Sequence, residues 1–299
     1  MKTITNSIVG ALALLTSTAW AQIPYSTDVN TLFLYHFDES SNATTAVDSS
    51  GNGRNATYLS TATSGLPSQP GMGNSTKGND ELTGMTRWQD STTPGTSSLL
   101  YNLPTSAFTI EAWVKPSADF FNMANGTNSP VIAIQPTASG LNDYVFSILR
   151  HSSGTFHLAL GDSGGPNRSW TVGYNLNWVA DTWYHIAVTG TPIGGGNFTY
   201  KFYDNVGNST TTPTADYTDA SKAMLVGQSG NNATRDLNMS NFYGNNGDSY
   251  FRGEIDEVRI SNIARTQFDT LAIPEPAMLA LLGMGLGLLY LRKRHRKNS

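Results

Sequence analysis

Tyr250-Phe-Arg-Gly-Glu-Ile-Asp-Glu-Val-Arg-Ile-Ser-Asn-Ile-Ala-Arg265 is the stretch that decides the fold. A strand sends successive side chains to opposite faces. On that period Phe251, Gly253 and Ile255 share one face, and Val258 and Ile260 share the other. The apolar phase therefore slips between Ile255 and Val258, as a bulge or a strand buried on both faces allows. Simple alternation puts Asp256 in register with Val258 and Ile260. A carboxylate in phase with core residues needs a partner, because a lone buried charge is very costly.

Other segments read as short strands separated by polar turns. Thr31–Phe37 comes first, and Asp48–Gly53 is a tight turn in which Gly51 and Gly53 can supply positive φ. Phe108–Lys115 alternates cleanly, with Phe108, Ile110, Ala112 and Val114 on one face. Val131–Gln135, Tyr144–Arg150 and Phe156–Leu160 follow, with a Ser153-Gly154 turn between the last two. Trp183–Gly190 pairs with Phe198–Tyr203 across the Gly194-Gly-Gly196 turn, and Met224–Gly227 is a short strand. Leu66–Gly95 reads mostly as loop with short strands, and Asn231–Asp248 as loop. The chain just after Arg265 is expected to make one helical turn. Strands about ten residues apart, with turn clusters between them, indicate a sandwich.

Composition agrees. The 299 residues include 29 Gly and 13 Pro, only 13% are charged, and aromatics reach 10%. This is turn-rich but not the composition of a disordered chain. The absence of Cys rules out disulfides, thiolate catalysis and Cys-ligated zinc. The net charge is −4, and six of the Lys, Arg and His residues sit in the last eight positions. The remainder is acidic with no basic patch, which argues against nucleic-acid binding.

Both ends read as targeting segments. Lys2, the apolar run Ile8–Leu15 and Ala19-Trp-Ala21 have the order of a secretory signal peptide over 1–21, with cleavage after Ala21. Segment 273–299 opens with Pro274-Glu275-Pro276 and continues as an apolar run, Ala277–Leu291. Arg292, Lys293 and Arg294 begin its basic tail. The run is shorter than the ~20 residues of a comfortable membrane span. The basic tail places the C-terminus in the cytoplasm by the positive-inside rule.

Three segments, Phe251–Ile260, Asp48–Ala56 and Thr182-Trp-Tyr-His-Ile-Ala-Val-Thr189, resemble laminin-G-like jelly-roll domains of the concanavalin A-like lectin/glucanase superfamily. The resemblance implies an all-β, two-sheet antiparallel jelly-roll sandwich over 28–272. Pro-Glu-Pro, a short transmembrane helix and a basic tail resemble a PEP-CTERM sorting signal. That likeness implies a Gram-negative-type bacterium, an exosortase-type processing partner, a transient membrane anchor, and delivery to the envelope, surface or extracellular matrix.

The chemistry is sparse. Some glucanases of the superfamily carry Glu-Ile-Asp-x-x-Glu, and retaining hydrolysis needs two carboxyls about 5–5.5 Å apart. Glu254-Ile255-Asp256 matches, but Arg259 stands where the second Glu belongs, so the expectation is a non-enzyme. Glu111 facing Glu254 across a concave sheet would restore a pair. The five His are scattered without metal spacing, and His185 is expected as a packed core residue. Domains with this resemblance often hold a structural calcium. Asp38, Asp48 and Asp256 are its expected ligands, while turn-capping is the alternative for the first two. Trp88, Trp113, Trp170 and Trp178 are candidates to stack on sugars. The expected function is a non-catalytic module binding glycan or protein; the alternative is a glycan-active glucanase or lyase.

Overall fold

The computed structural model describes residues 20–59, 62–78, 86–89, 106–122, 129–136, 146–150, 156–161, 169–174, 178–194, 197–206, 215–223, 235–240, 250–268 and 273–274. The elements are almost all strands. In chain order they begin with β1 (Trp20–Ala21), β2 (Thr31–Tyr35), β3 (Thr45–Ala46), β4 (Ala56–Tyr58), β5 (Thr63–Pro67), β6 (Asn74–Lys77) and β7 (Thr86–Gln89). Next come β8 (Phe108–Pro116), the one-turn helix α1 (Ala118–Phe121), β9 (Ser129–Pro136), β10 (Phe146–Arg150), β11 (Phe156–Gly161) and β12 (Ser169–Tyr174). The last are β13 (Tyr184–Gly194), β14 (Asn197–Val206), β15 (Ala215–Ala223), β16 (Arg235–Met239), β17 (Gly253–Ser261) and β18 (Ile273–Pro274).

Two compact units result: Gln22–Ala272, and the two chain ends Met1–Ala21 with Ile273–Ser299. Within the terminal unit β1 and β18 form a short antiparallel ladder, Ala21 opposite Ile273 and Trp20 opposite Pro274. The apolar run and basic tail expected after Pro276, and the signal peptide up to Ala19, lie outside the described residues. Among the described residues no helix is long and apolar enough to cross a membrane.

The larger unit is an antiparallel sandwich. One sheet runs β15-β14-β13-β8-β17-β6-β5, and the other β12-β11-β10-β9-β16-β7-β4-β3. β17 lies beside β8 along its length and changes partner on its other side. Glu254 and Ile255 face β6, while Val258 to Ser261 face β2. The register against β8 shifts between Asp256 and Arg259: Asp256 opposes Trp113 and Arg259 opposes Glu111. Two residues, Glu257 and Val258, therefore stand opposite Ala112 alone, which is a β-bulge. Glu257 takes φ +52° to make it, a conformation that costs a non-glycine residue on the order of 1 kcal/mol.

This bulge corrects the simple alternation. Ile255, Val258 and Ile260 all enter the main core, with Phe33, Tyr35, Phe108, Ile110, Ala112 and Val114. Asp256 lies on the opposite, outer face, in register with Trp113. It is nevertheless fully buried, because the outer face is also covered. Tyr25, Leu34, Met72 and Trp113 form a second small core there, and Ala187, Tyr203 and Phe268 a third.

Several expected strands hold. β13 and β14 pair with Val188 opposite Phe202, and β10 pairs with β11. The Asn231–Asp248 loop is corrected: it contains β16, whose Leu237 and Met239 join the core. Strand β12 is an addition to the sequence reading, and the stretch after Arg265 holds no helical turn through Phe268. The expected strand Met224–Gly227 lies outside the described residues. Ile260 is wholly buried between the sheets; Ile260→Ala is expected to cost about 2–5 kcal/mol in urea unfolding.

Candidate functional site

The bulge and its flanking residues gather the titratable groups of the outer face. Alternation in β8 sends Thr109, Glu111, Trp113 and Lys115 outward, opposite Ser261, Arg259, Asp256 and Glu254 of β17. Glu111 and Arg259 are essentially unexposed. The Arg259 Nε–H donates to Glu111 Oε1 at 2.7 Å, and His185 Nε2 lies 3.4 Å from the other oxygen. Burial pushes the Glu111 carboxyl up, but its bonds and charge interactions with His185 and Arg259 outweigh this, so its pKa is lowered. His185 is the packed core histidine the sequence suggests.

Two chain segments close over this ion cluster. Arg259 lies over the Tyr25 ring at 4.5 Å and donates from Nη1 to the Ser26 carbonyl at 2.8 Å. Arg265 makes two 2.9 Å bonds to the Asp28 carboxylate, which hold that carboxyl well below the usual range. The backbone N–H of Arg265 donates to Thr109 Oγ1. Both flanks of the domain are thus fastened to one sheet.

Around the bulge sit Asp256, Glu257, His36 and Ser68. The Asp256 carboxylate accepts the Ser68 hydroxyl and the Glu257 N–H. Glu257 Oε1 pairs with His36 Nδ1 at 2.6 Å, and its Oε2 accepts the Tyr25 N–H at 2.7 Å. Burial pushes Asp256 well up, and the Glu257 charge adds to this. Glu257 is also raised by burial, against the opposing bond to His36. Burial alone would lower the His36 pKa, but the hydrogen bond and charge of Glu257 turn the shift upward. Nothing in the sequence points to the His36–Glu257 pair, since its members are 221 residues apart.

The expected metal ligands are differently employed. Asp48 caps its own turn: Oδ1 accepts Leu34 N–H and Ser50 N–H, and Oδ2 accepts Ser50 Oγ–H and Arg54 N–H. Asp38 is exposed and its Oδ1 accepts the Asn74 N–H. Asp38 and Asp256 are near enough for their charges to interact. Among the described residues, however, no three His, Asp or Glu side chains gather as a metal requires. The set Asp38, Asp48 and Asp256 does not fit a calcium cage, because both Asp48 oxygens already hold the turn.

The glucanase-like acids are also tied down. Glu254 pairs with Lys115 Nζ at 2.6 Å and accepts the Ser75 hydroxyl at 3.0 Å. Glu254 opposes Lys115 and Glu111 opposes Arg259. Four residues along β8 separate the two positions, about 13 Å at strand rise. The structure therefore does not bring Glu254 and Glu111 together. Trp113 and Trp178 are buried, and Trp88 packs edge-on against Phe33, so these rings serve the interior. The Trp170 side chain lies outside the described residues. Of the processing residues, Ala21 and Pro274 lie in the β1–β18 ladder; Glu275, Pro276, Arg292, Lys293 and Arg294 lie outside the described residues.

Comparison with known families matches residues 89–269 to Laminin_G_3 of the concanavalin A-like lectin/glucanases superfamily. The chain belongs to that superfamily. Residues 272–295 match the PEP-CTERM protein-sorting motif, which implies export, envelope sorting and exosortase-type processing. No curated protein matches. Among solved structures, the receptor binding domain of a botulinum neurotoxin mosaic of serotypes C and D is similar, with TM-score 0.52 and 13% identity over 79% of this chain and 48% of that one. Trypanosoma rangeli sialidase in complex with sialic acid gives TM-score 0.50 and 14% identity over 80% of this chain and 31% of that one. This superfamily member thus spans half or less of the length of either, and at such identities the likeness shows the fold alone.

Two stability tests follow from the opposed acids of this sandwich. Arg259→Met leaves Glu111 buried with only His185 and the Arg265 Nε at 3.9 Å as partners, and is expected to cost about 3–5 kcal/mol in denaturant unfolding. Adding Glu111→Gln should recover part of that loss. Glu111, with its lowered folded pKa, contributes stability above its unfolded pKa that is lost as pH falls through the folded one. Asp256 has the opposite sign. Its folded pKa is raised, so stability is greatest below the unfolded value of about 4 and declines as pH rises toward the folded one. Asp256→Asn should remove that decline and leave the protein at least as stable at pH 7, with a chelator changing neither melting temperature. A chelator-sensitive wild type would show instead that a metal holds Asp256.

Proposed function

We propose that this protein is an exported, envelope-sorted, non-catalytic module of a bacterial surface or extracellular matrix, and that its sandwich binds glycan or protein. The observation that carries the non-catalytic reading is the state of the outer-face carboxylates. Glu111 is buried under Arg259, Asp256 is buried against Ser68, and Glu254 is held by Lys115. Glycoside hydrolysis needs two carboxyls across one substrate-accessible bond, about 5–9.5 Å apart. The nearest arrangement to the glucanase pattern on this face has one accessible acid, already paired.

The sorting motif supports delivery to the envelope. A sandwich that presents loops from a packed scaffold supports a binding role.

Two measurements check this. Tags placed after Gly51 and after Ser299 should part company: the first should reach the surface or matrix and the second should be lost from the mature species. Retention of both on one cytoplasmic protein refutes the sorting. A glycan array run beside a reducing-sugar assay separates binding from catalysis. Retention without new reducing ends is expected, whereas release of reducing ends that Glu254→Gln abolishes would establish an enzyme.

A further inference from the structure

The end of β2 carries a recess apart from the buried ion cluster. It is lined by His36, Asp38, Glu39, Val47 and Ser49 and holds about 260 Å³. We propose that this recess is a sugar subsite for a single amine-bearing hexose. The inference rests on the glycan-binding reading and gives it a location and a ligand class.

The size sets the first limit. Pockets for drug-sized ligands run to roughly 300–1,000 Å³; this one is smaller and suits one ring rather than an oligosaccharide. The chain's own geometry builds it. An antiparallel bridge joins Tyr35 to Asp48, so His36 and Val47 are cross-strand neighbours on the outer side and Ser49 is diagonal to His36. Phe37 then takes φ +55°, which turns the chain and brings Asp38 and Glu39 to the rim.

His36 is the organised polar group. Its Nδ1 is held by Glu257 at 2.6 Å, and Glu257 is fixed in turn by the Tyr25 N–H and by its place in the β17 bulge. A carboxylate on one ring nitrogen orients the ring and leaves the other nitrogen for a ligand. The His36 side chain keeps 23% of its surface accessible, whereas Glu257 keeps none. This is a supported donor or acceptor at the edge of a cavity.

The rim chemistry chooses the ligand. Glu39 spends its oxygens on the Val47 N–H and the Tyr58 hydroxyl, at 2.7 Å each, so it supplies charge rather than a new bond. Asp38 uses Oδ1 for Asn74, and Oδ2 remains as a charged acceptor. Asp38, Glu39 and Glu257 thus outnumber the one imidazole. Anionic sugars are repelled, and a ring ammonium gains a charge-assisted bond at Asp38. Val47, 51% exposed, gives an apolar wall for the C–H face of a ring, while His36 Nε2 and the Ser49 hydroxyl meet its hydroxyls. A lysine side chain would satisfy Asp38 but would leave those two groups without ring hydroxyls.

The test is a titration of the protein purified from the envelope or secreted fraction, by calorimetry or saturation-transfer NMR. Glucosamine, glucose, glucuronic acid and Nα-acetyl-lysine methylamide are the probes. Glucosamine should bind best and glucuronic acid worst. Asp38→Asn, at an exposed position that leaves the core intact, should weaken glucosamine about tenfold or more and bring it level with glucose. Val47→Ser, which removes the apolar wall without adding charge, should also weaken binding, with an unchanged circular dichroism spectrum. Equal affinity for glucosamine and glucuronic acid, tighter binding of the lysine probe, or no effect of Asp38→Asn overturns the proposal. Array-positive protein that is indifferent to both substitutions rejects this subsite and leaves the glycan-binding reading standing; protein that retains no glycan rejects both.

Discussion

One extra residue in β17 sets the geometry of the sheet around it. The strand must serve β8 along one edge while its other edge passes from β6 to β2. Inserting Glu257 at φ +52° absorbs that change of partner and returns Val258 and Ile260 to the same face as Ile255. Without the insertion the strand's second half would turn its apolar side chains outward, because a one-residue slip reverses every side chain that follows. The core of the sandwich and the arrangement of acids outside it therefore share one cause.

The outer face is unusual in being buried and charged together. Its ionic groups are stabilised by opposite means. Glu111 is ionised against Arg259 and His185, whereas Asp256 is pushed toward its neutral form by burial and by Glu257. An ion cluster of this kind adds little net stability over an apolar core, but it is expensive to break. Its geometric consequence is clearer. Tyr25 and Ser26 are held by Arg259, and Asp28 by Arg265, so the segments entering and leaving the domain are fastened to the same sheet.

Membership of the lectin/glucanase superfamily leaves chemistry open, since one sandwich hosts many functions. What separates this chain from the glucanase pattern is local. Arg259 occupies the second-acid position and extends over Tyr25, while Glu111, the remaining candidate, is its buried partner. At the end of β2, half-buried His36 is braced by an acid from the bulge.

Alternating stretches announced themselves in the chain. Phe108–Lys115, Trp183–Gly190 and Phe198–Tyr203 have a two-residue apolar period that admits only strand pairing around a core, and the two ends carry targeting patterns written in the local order of charged, apolar and small residues. β16 did not announce itself: Arg-Asp-Leu-Asn-Met reads as polar loop, yet Asp236 and Asn238 are wholly buried. Arg87 on the adjacent strand lies 3.6 Å from Asp236, and only the fold brings that compensation near. The same holds at Asp256. Its neighbours stand in an apolar period that foretells burial, but the face it occupies depends on a bulge, and the bulge depends on two partner strands more than 170 residues away. Period is a local property, written in every second residue; register, and with it the meeting of His36 with Glu257, is settled by which distant strands the backbone hydrogen bonds choose.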